Sequence, residues 1–162
     1  MFRRSVLALA VGASALAGGT FALAAVKHHV SQTVKVSSIS QSSNYPNPGS
    51  RNTSAGTVTG TLGSGAIVQK LLITGHPTVT TYTFSATSTG FYAHGTTKVS
   101  VTGTATAQAN GSTTVAGHGH YTGGTGRYRG ARGKFSFTGT IPPPNPTVPT
   151  PLVGHLTGSI SY

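Results

Sequence analysis

Between Lys98 and Ala109 two kinds of residue alternate. Val99, Val101, Ala105, Ala107 and Ala109 fall on one parity with Gly103 among them, and Lys98, Ser100, Thr102, Thr104, Thr106 and Gln108 fall on the other. Successive side chains of a strand point to opposite faces, so a period of two marks a strand with one buried face. Asn110-Gly111 follows at once, a pair that favours a hairpin turn, and residues 112–121 are the expected antiparallel partner. The alternation recurs elsewhere. Tyr82, Phe84 and Ala86 share one face. Phe135, Phe137 and Ile141 oppose Lys134, Ser136, Thr138 and Thr140. Leu152, Leu156, Ile160 and Tyr162 share a parity interrupted by Gly154 and Gly158, with Val153 off the pattern. Residues 66–73 fit either two turns of helix or a buried strand, and the flanking Gly63, Gly65 and Gly75 favour the strand. About eight short strands separated by turn signals predict an all-β fold, a small antiparallel barrel or a sandwich.

The rest of the chain reads differently. Phe2-Arg3-Arg4 is followed by an uncharged run rich in Ala, Leu, Val and Gly, and Ala22-Leu23-Ala24 supplies small residues at signal-peptidase positions. Residues 1–24 are expected to be a secretory signal cleaved after Ala24 or Ala25, in preference to an uncleaved anchor, and the protein to be secreted or held in the cell envelope. Residues 25–54 read as a loose, flexible N-terminal segment with at most a short strand at Thr33-Val34-Lys35-Val36, because 37–54 are mostly Ser, Asn, Pro and Gly. That leaves 55–162 as the expected barrel. Pro142-Pro143-Pro144-Asn145-Pro146 and Pro149-Thr150-Pro151 predict an exposed connection, since proline lacks the N–H of a sheet ladder.

Eleven Lys and Arg face no Asp or Glu, and there is no Cys. Without Arg3 and Arg4 nine basic side chains remain, none with a carboxylate side chain to pair with. These charges are expected on the surface, free to associate weakly with anionic envelope polymers. Stability has to come from packing and backbone hydrogen bonds, which suits a closed sheet without free edges. The same absences exclude two-carboxylate glycosidases, an acid-oriented serine triad, calcium loops and thiolate nucleophiles or metal sites.

The stretch Gly117-His118-Gly119-His120-Tyr121-Thr122-Gly123-Gly124-Thr125-Gly126-Arg127-Tyr128-Arg129-Gly130-Ala131-Arg132-Gly133 carries the most specific pattern. Gly123, Gly124, Thr125, Gly126, Tyr128, Ala131 and Gly133 resemble the Gly-rich hairpin of the allene oxide cyclase and dirigent barrel superfamily. The resemblance implies an eight-stranded barrel with an apolar central cavity, and assembly into trimers as in plant members. It does not carry their chemistry over, because their cavity acids have no counterpart here. Arg132, inside the matching hairpin, is a candidate contact for a polar ligand group.

Histidine is the remaining ligand type. His118 and His120 lie two apart on an expected strand, so both project from one face, and His94 or His155 could join them around zinc or copper through neutral imidazole. An exposed outer face is the favoured reading, with no metal and no cofactor. His28 would stand third in a chain beginning at Val26, where an N-terminal copper site is conceivable, with His29 beside it. Arg127, Arg129, Arg132 and Lys134 with Tyr121 and Tyr128 resemble a basic-aromatic patch, but alternate residues face opposite ways, so no specific nucleic-acid partner is expected. The preferred function is binding of a small apolar or aromatic ligand in the barrel, with Tyr82, Phe84, Val99, Val101, Tyr121, Phe135, Phe137 and Arg132 as candidate contacts and no catalytic residue. The alternatives are a basic structural or adhesive envelope protein and an acid-free cyclase or isomerase. A homo-oligomer, dimer or trimer, is compatible with each.

Overall fold

A computed structural model describes residues 26–145 and 150–162. Eight strands follow in chain order: β1 (Lys27–Gln41), β2 (Arg51–Gly60), β3 (Gly65–Thr78), β4 (Thr81–Tyr92), β5 (Gly95–Ala107), β6 (Thr113–Gly124), β7 (Gly133–Ile141) and β8 (Leu152–Ser161). One 3-10 turn, Gly126–Tyr128, lies between β6 and β7. Each strand pairs antiparallel with its sequence neighbours, and β8 returns to pair with β1, so the sheet closes into an eight-stranded barrel. Closure leaves no row of unpaired backbone groups at an edge.

The alternation fixes which side of each strand faces inward. Val101 is buried while Lys98, Thr102 and Thr104 are exposed on β5, and Val115 is buried between exposed Thr114 and Ala116 on β6. The β5–β6 hairpin turns through Ala109, Asn110 and Gly111. Gly111 N donates to Gln108 O at 2.9 Å and Gln108 N to Ser112 O at 2.8 Å. Gly111 takes the left-handed conformation at φ 83, which glycine adopts without a Cβ clash. Asn110 Oδ1 accepts from the Ser112 backbone N–H at 3.0 Å and fixes the turn. Residues 66–73 lie within β3, the strand that their flanking glycines favoured.

The expected flexible segment at 25–54 is corrected. Most of it belongs to β1 and the start of β2, which also pair with each other, so the barrel begins at Lys27 and not at residue 55. The polar residues that looked unable to form a core are partly on the inside. Asn52 is 8% exposed, donates from Nδ2 to Ser38 Oγ at 2.7 Å, and accepts at Oδ1 from Ser54 Oγ at 2.6 Å. Mutual hydrogen bonding removes most of the penalty of burying these groups. The expected signal at 1–24 and the middle of the Pro-rich connection, 146–149, lie outside the described residues.

Inside the barrel, phenylalanines on one strand face glycines on the next. Phe84 is paired with Gly103, Phe137 with Gly117, and Phe135 with both Gly119 and Gly158. A Cβ added at Gly119 would lie 2.5 Å from Phe135 Cζ and 2.6 Å from the Ser100 carbonyl oxygen. Small residues therefore leave room for aromatic rings in a barrel too narrow for two large side chains side by side. Gly119→Ala should lower unfolding free energy by about 1–3 kcal/mol, the usual cost of overpacking. Paired with Phe135→Leu, the two losses should be less than additive in denaturant melts, and strict additivity would show that the ring is not what the methyl meets.

Candidate functional site

The two ends of the barrel differ. At the base, the β6–β7 connection folds Tyr128 inward, where it is 2% exposed and its hydroxyl donates to Leu62 O at 2.9 Å. Tyr92 and Tyr162 meet its ring edge-on at centroid distances of 5.5 and 5.1 Å. Thr125 Oγ1 accepts from the Thr96 backbone N–H at 3.1 Å, and Arg127 N donates to His94 O at 2.8 Å, tying the connection to the β4–β5 turn. The Gly-rich stretch singled out in the sequence thus builds a plug of tyrosines at this end. Val30, Ile160 and Ala131, all buried, lie at the same end.

Above the plug the interior is not filled. A deep space of ≈ 80 Å³ is lined by Val34, Ile67, Gln69, Ser88, Val99 and Phe135 among others. A second space of ≈ 240 Å³ reaches the opposite end, where Tyr45 of the β1–β2 loop and Thr150 of the β7–β8 connection contribute to its wall. Gln69, Phe137 and Leu152 line both, so the two spaces are stacked along the barrel axis. One ordered water needs roughly 10–15 Å³ on this measure, so the upper space is many waters in size.

The walls are unequal. Val99, Val101, Phe135, Phe137, Leu152 and Leu156 make an apolar surface from β5, β7 and β8. Ser38, Gln41, Asn52, Ser54, Gln69 and Ser88 place neutral hydrogen-bonding groups on β1 to β4. Every Lys and Arg among the described residues is exposed. His155, at the rim of the deep space, is exposed, and its Nδ1 lies 3.2 Å from Thr33 Oγ1.

Of the residues singled out from the sequence, Val99, Val101, Phe135 and Phe137 line the deep space, and Phe84 and Phe137 the upper one. Tyr121 is buried at 3% exposure but packs edge-on against Phe135 and lines neither space. Tyr82 stacks on His76 at 4.4 Å and also lines neither. Arg132 lines neither space. It is exposed at the base, and its Nη1 donates to Thr122 O at 3.0 Å and Ala131 O at 2.9 Å. A guanidinium there is satisfied by backbone carbonyls and stays in solvent. Sequence reading missed Gln69, although Ile67, Leu71 and Ile73 share its parity and a lone polar residue on an apolar face was visible.

His118 and His120 project outward from β6, and His118 Nε2 lies 3.2 Å from Thr102 Oγ1. No group of three metal-ligating side chains gathers among the described residues, so neither His94 nor His155 completes a site with them. His28 lies on β1 opposite Ile160 and stacks on Tyr162 at 5.0 Å, and His29 is exposed. Arg127 sits over the Tyr162 ring at 5.6 Å, while Arg129 and Lys134 are exposed. No protein-family model matches the sequence, and no curated protein matches it.

Burial, then the neighbouring Tyr92 and Tyr128, push the Tyr121 hydroxyl far above its ordinary range. Burial also raises Tyr92, partly offset by its hydrogen bond with Thr97. The folded state keeps protons that the unfolded chain releases above about pH 10. Stability from these groups is therefore intact below that pH and falls as pH rises further. In an alkaline titration, ionisation of Tyr92 and Tyr121 should come only as the β-sheet dichroism is lost. Full tyrosine ionisation with unchanged dichroism would contradict the plug.

Proposed function

We propose that the chain is an exported barrel that binds a small, mainly apolar or aromatic molecule in its central space. The observation that carries this reading is the unfilled interior above a sealed base, apolar on one wall and reaching the end where Tyr45 and Thr150 lie. Ligand sites are characteristically concave and mostly apolar with a few placed polar groups, and mouths of β-barrels are frequent locations. Export is supported by the signal-like 1–24 stretch. Because β1 begins at Lys27, cleavage after Ala24 or Ala25 leaves every strand intact. Kinship with the allene oxide cyclase and dirigent barrels is part of the proposal, supported by the Gly-rich connection at 123–133 and the closed eight-stranded topology. Binding without turnover fits a chain that has no Asp, Glu or Cys.

The neutral dye N-phenyl-1-naphthylamine tests the reading without being drawn to the basic surface. Enhanced, saturable emission is expected. Ala105 lines the upper space, and Ala105→Trp should fill it and weaken binding at least about tenfold, with dichroism preserved. Equal binding by both proteins, or none by either, would overturn the proposal.

A second reading concerns the outer surface. Nine exposed cations without a carboxylate side chain favour weak adhesion to anionic envelope polymers. Retention on immobilised polyphosphate at low ionic strength should be lost in about 1 M salt, where the screening length shrinks to about 3 Å. Retention that persists there would argue against it.

A further inference from the structure

We propose that the barrel selects an uncharged ligand carrying one hydroxyl-type polar group, and that Gln69 and Ser88 receive that group. The inference rests on the reading of the central space as a ligand site. Gln69 and Ser88 face each other directly across the β3–β4 ladder, and both line the deep space. Ser88 is 8% exposed. The polar groups nearer the mouth are bonded to one another, Asn52 to Ser38, Gln41 and Ser54. Gln69 and Ser88 make no such bond to another described residue.

A buried amide nearby is also unpartnered. Gln32 is 3% exposed, and neither its Nε2 nor its Oε1 has a hydrogen-bonding partner. Its cross-strand partner Leu156, and Val34 two residues along β1, both line the deep space, while Val30 two residues the other way is buried toward the base. Gln32 therefore lies beneath that space without lining it. Buried polar groups are normally partnered by protein or ordered water, so Gln69 and Ser88, side by side on the wall, are a place where a guest can supply the bonds.

Their chemistry limits what that is. A primary amide offers both donor and acceptor, and a serine hydroxyl does the same. A ligand hydroxyl can meet either one. A carboxylate offers no donor and would enter without a Lys or Arg beside it, because every Lys and Arg among the described residues is exposed, and His155 stands only at the exposed rim. A buried ion without a partner is strongly disfavoured. An ammonium fares no better in a chain without Asp or Glu. The apolar wall of Phe135, Phe137 and Leu156 then takes the ligand's body.

The test is displacement of N-phenyl-1-naphthylamine by 2-naphthol, 2-naphthoate and naphthalene, at a pH where the acid is ionised and the phenol is not. Naphthol should compete at least about tenfold better than either of the others. Gln69→Leu should reduce naphthol to the level of naphthalene while leaving naphthalene itself unchanged or tighter. Ser88→Ala, which removes one hydroxyl oxygen and little volume, should lower the naphthol preference in the same direction if Gln69→Leu fails to fold. Naphthoate competing as well as naphthol, or naphthol preference surviving in both variants, overturns the inference while leaving the cavity a binding site. A dye that does not bind the parent protein removes the reading of the cavity and this inference with it.

Discussion

The return of β8 onto β1 is the constraint on which everything else depends. The two strands pair from Lys27 opposite Ser161 to Val36 opposite Leu152. Opened there, the sheet would expose two edges and lose one wall of its interior, since Val34, Val36 and Ser38 line the central spaces from β1. No disulfide and no side-chain ion pair can hold the ends together, because the chain has no Cys, Asp or Glu. Backbone ladders and packing carry the closure alone. The pairing also joins the first described strand to the last, and sheets dominated by such non-local pairings fold slowly as a class.

Closure at eight strands makes the interior narrow, and the pairing of rings with glycines answers that. Phe84, Phe135 and Phe137 each lie against a glycine of the neighbouring strand. Phe84 and Phe137 then approach each other across the lumen at 6.2 Å between centroids. Elsewhere on the wall Ser54 on β2, Gln69 on β3 and Ser88 on β4 are shorter or polar and do not meet the rings in a filled core. The unfilled space is a consequence of where the large side chains stand. At the base, where Tyr92, Tyr128 and Tyr162 converge, the same narrow lumen is blocked.

How much of this could be read in advance follows from the same asymmetry. On β5, β7 and β8 most inward residues are apolar and most outward ones polar, Thr97 and Val153 excepted, so alternation in the sequence announced the strands and their inner faces. On β1 and β2 the inward set includes Gln32, Ser38, Asn52 and Ser54. Hydrophobic periodicity vanishes where the buried face is itself polar, and the segment read as loose. Register was equally hidden. Gly103, Gly117 and Gly119 were visible as gaps in strands, but which ring each accommodates depends on pairings no local pattern encodes. The tyrosine plug was half legible, since Tyr128 was marked by its Gly-rich surroundings. Its partner Tyr92 carried no signal, because that contact depends on how three connections meet at one end. The outward position of Arg132 was equally hidden, because proximity along the chain to that hairpin says nothing of which side of the barrel wall a side chain occupies.

Charge is divided in space as sharply as polarity. All the cations among the described residues lie outside, and neutral amides and hydroxyls lie inside. A Lys on an inward position of β3 or β4 would need a buried carboxylate, and the chain has none to supply. An acid-free composition therefore restricts the interior more than the exterior. Outside, water solvates unpaired cations at little cost. Inside, the only polar groups the fold can tolerate are those whose needs a neighbour, a water or a neutral guest can meet. The described Lys and Arg thus stay outside, and the strand pairings decide which neutral groups face one another in the lumen.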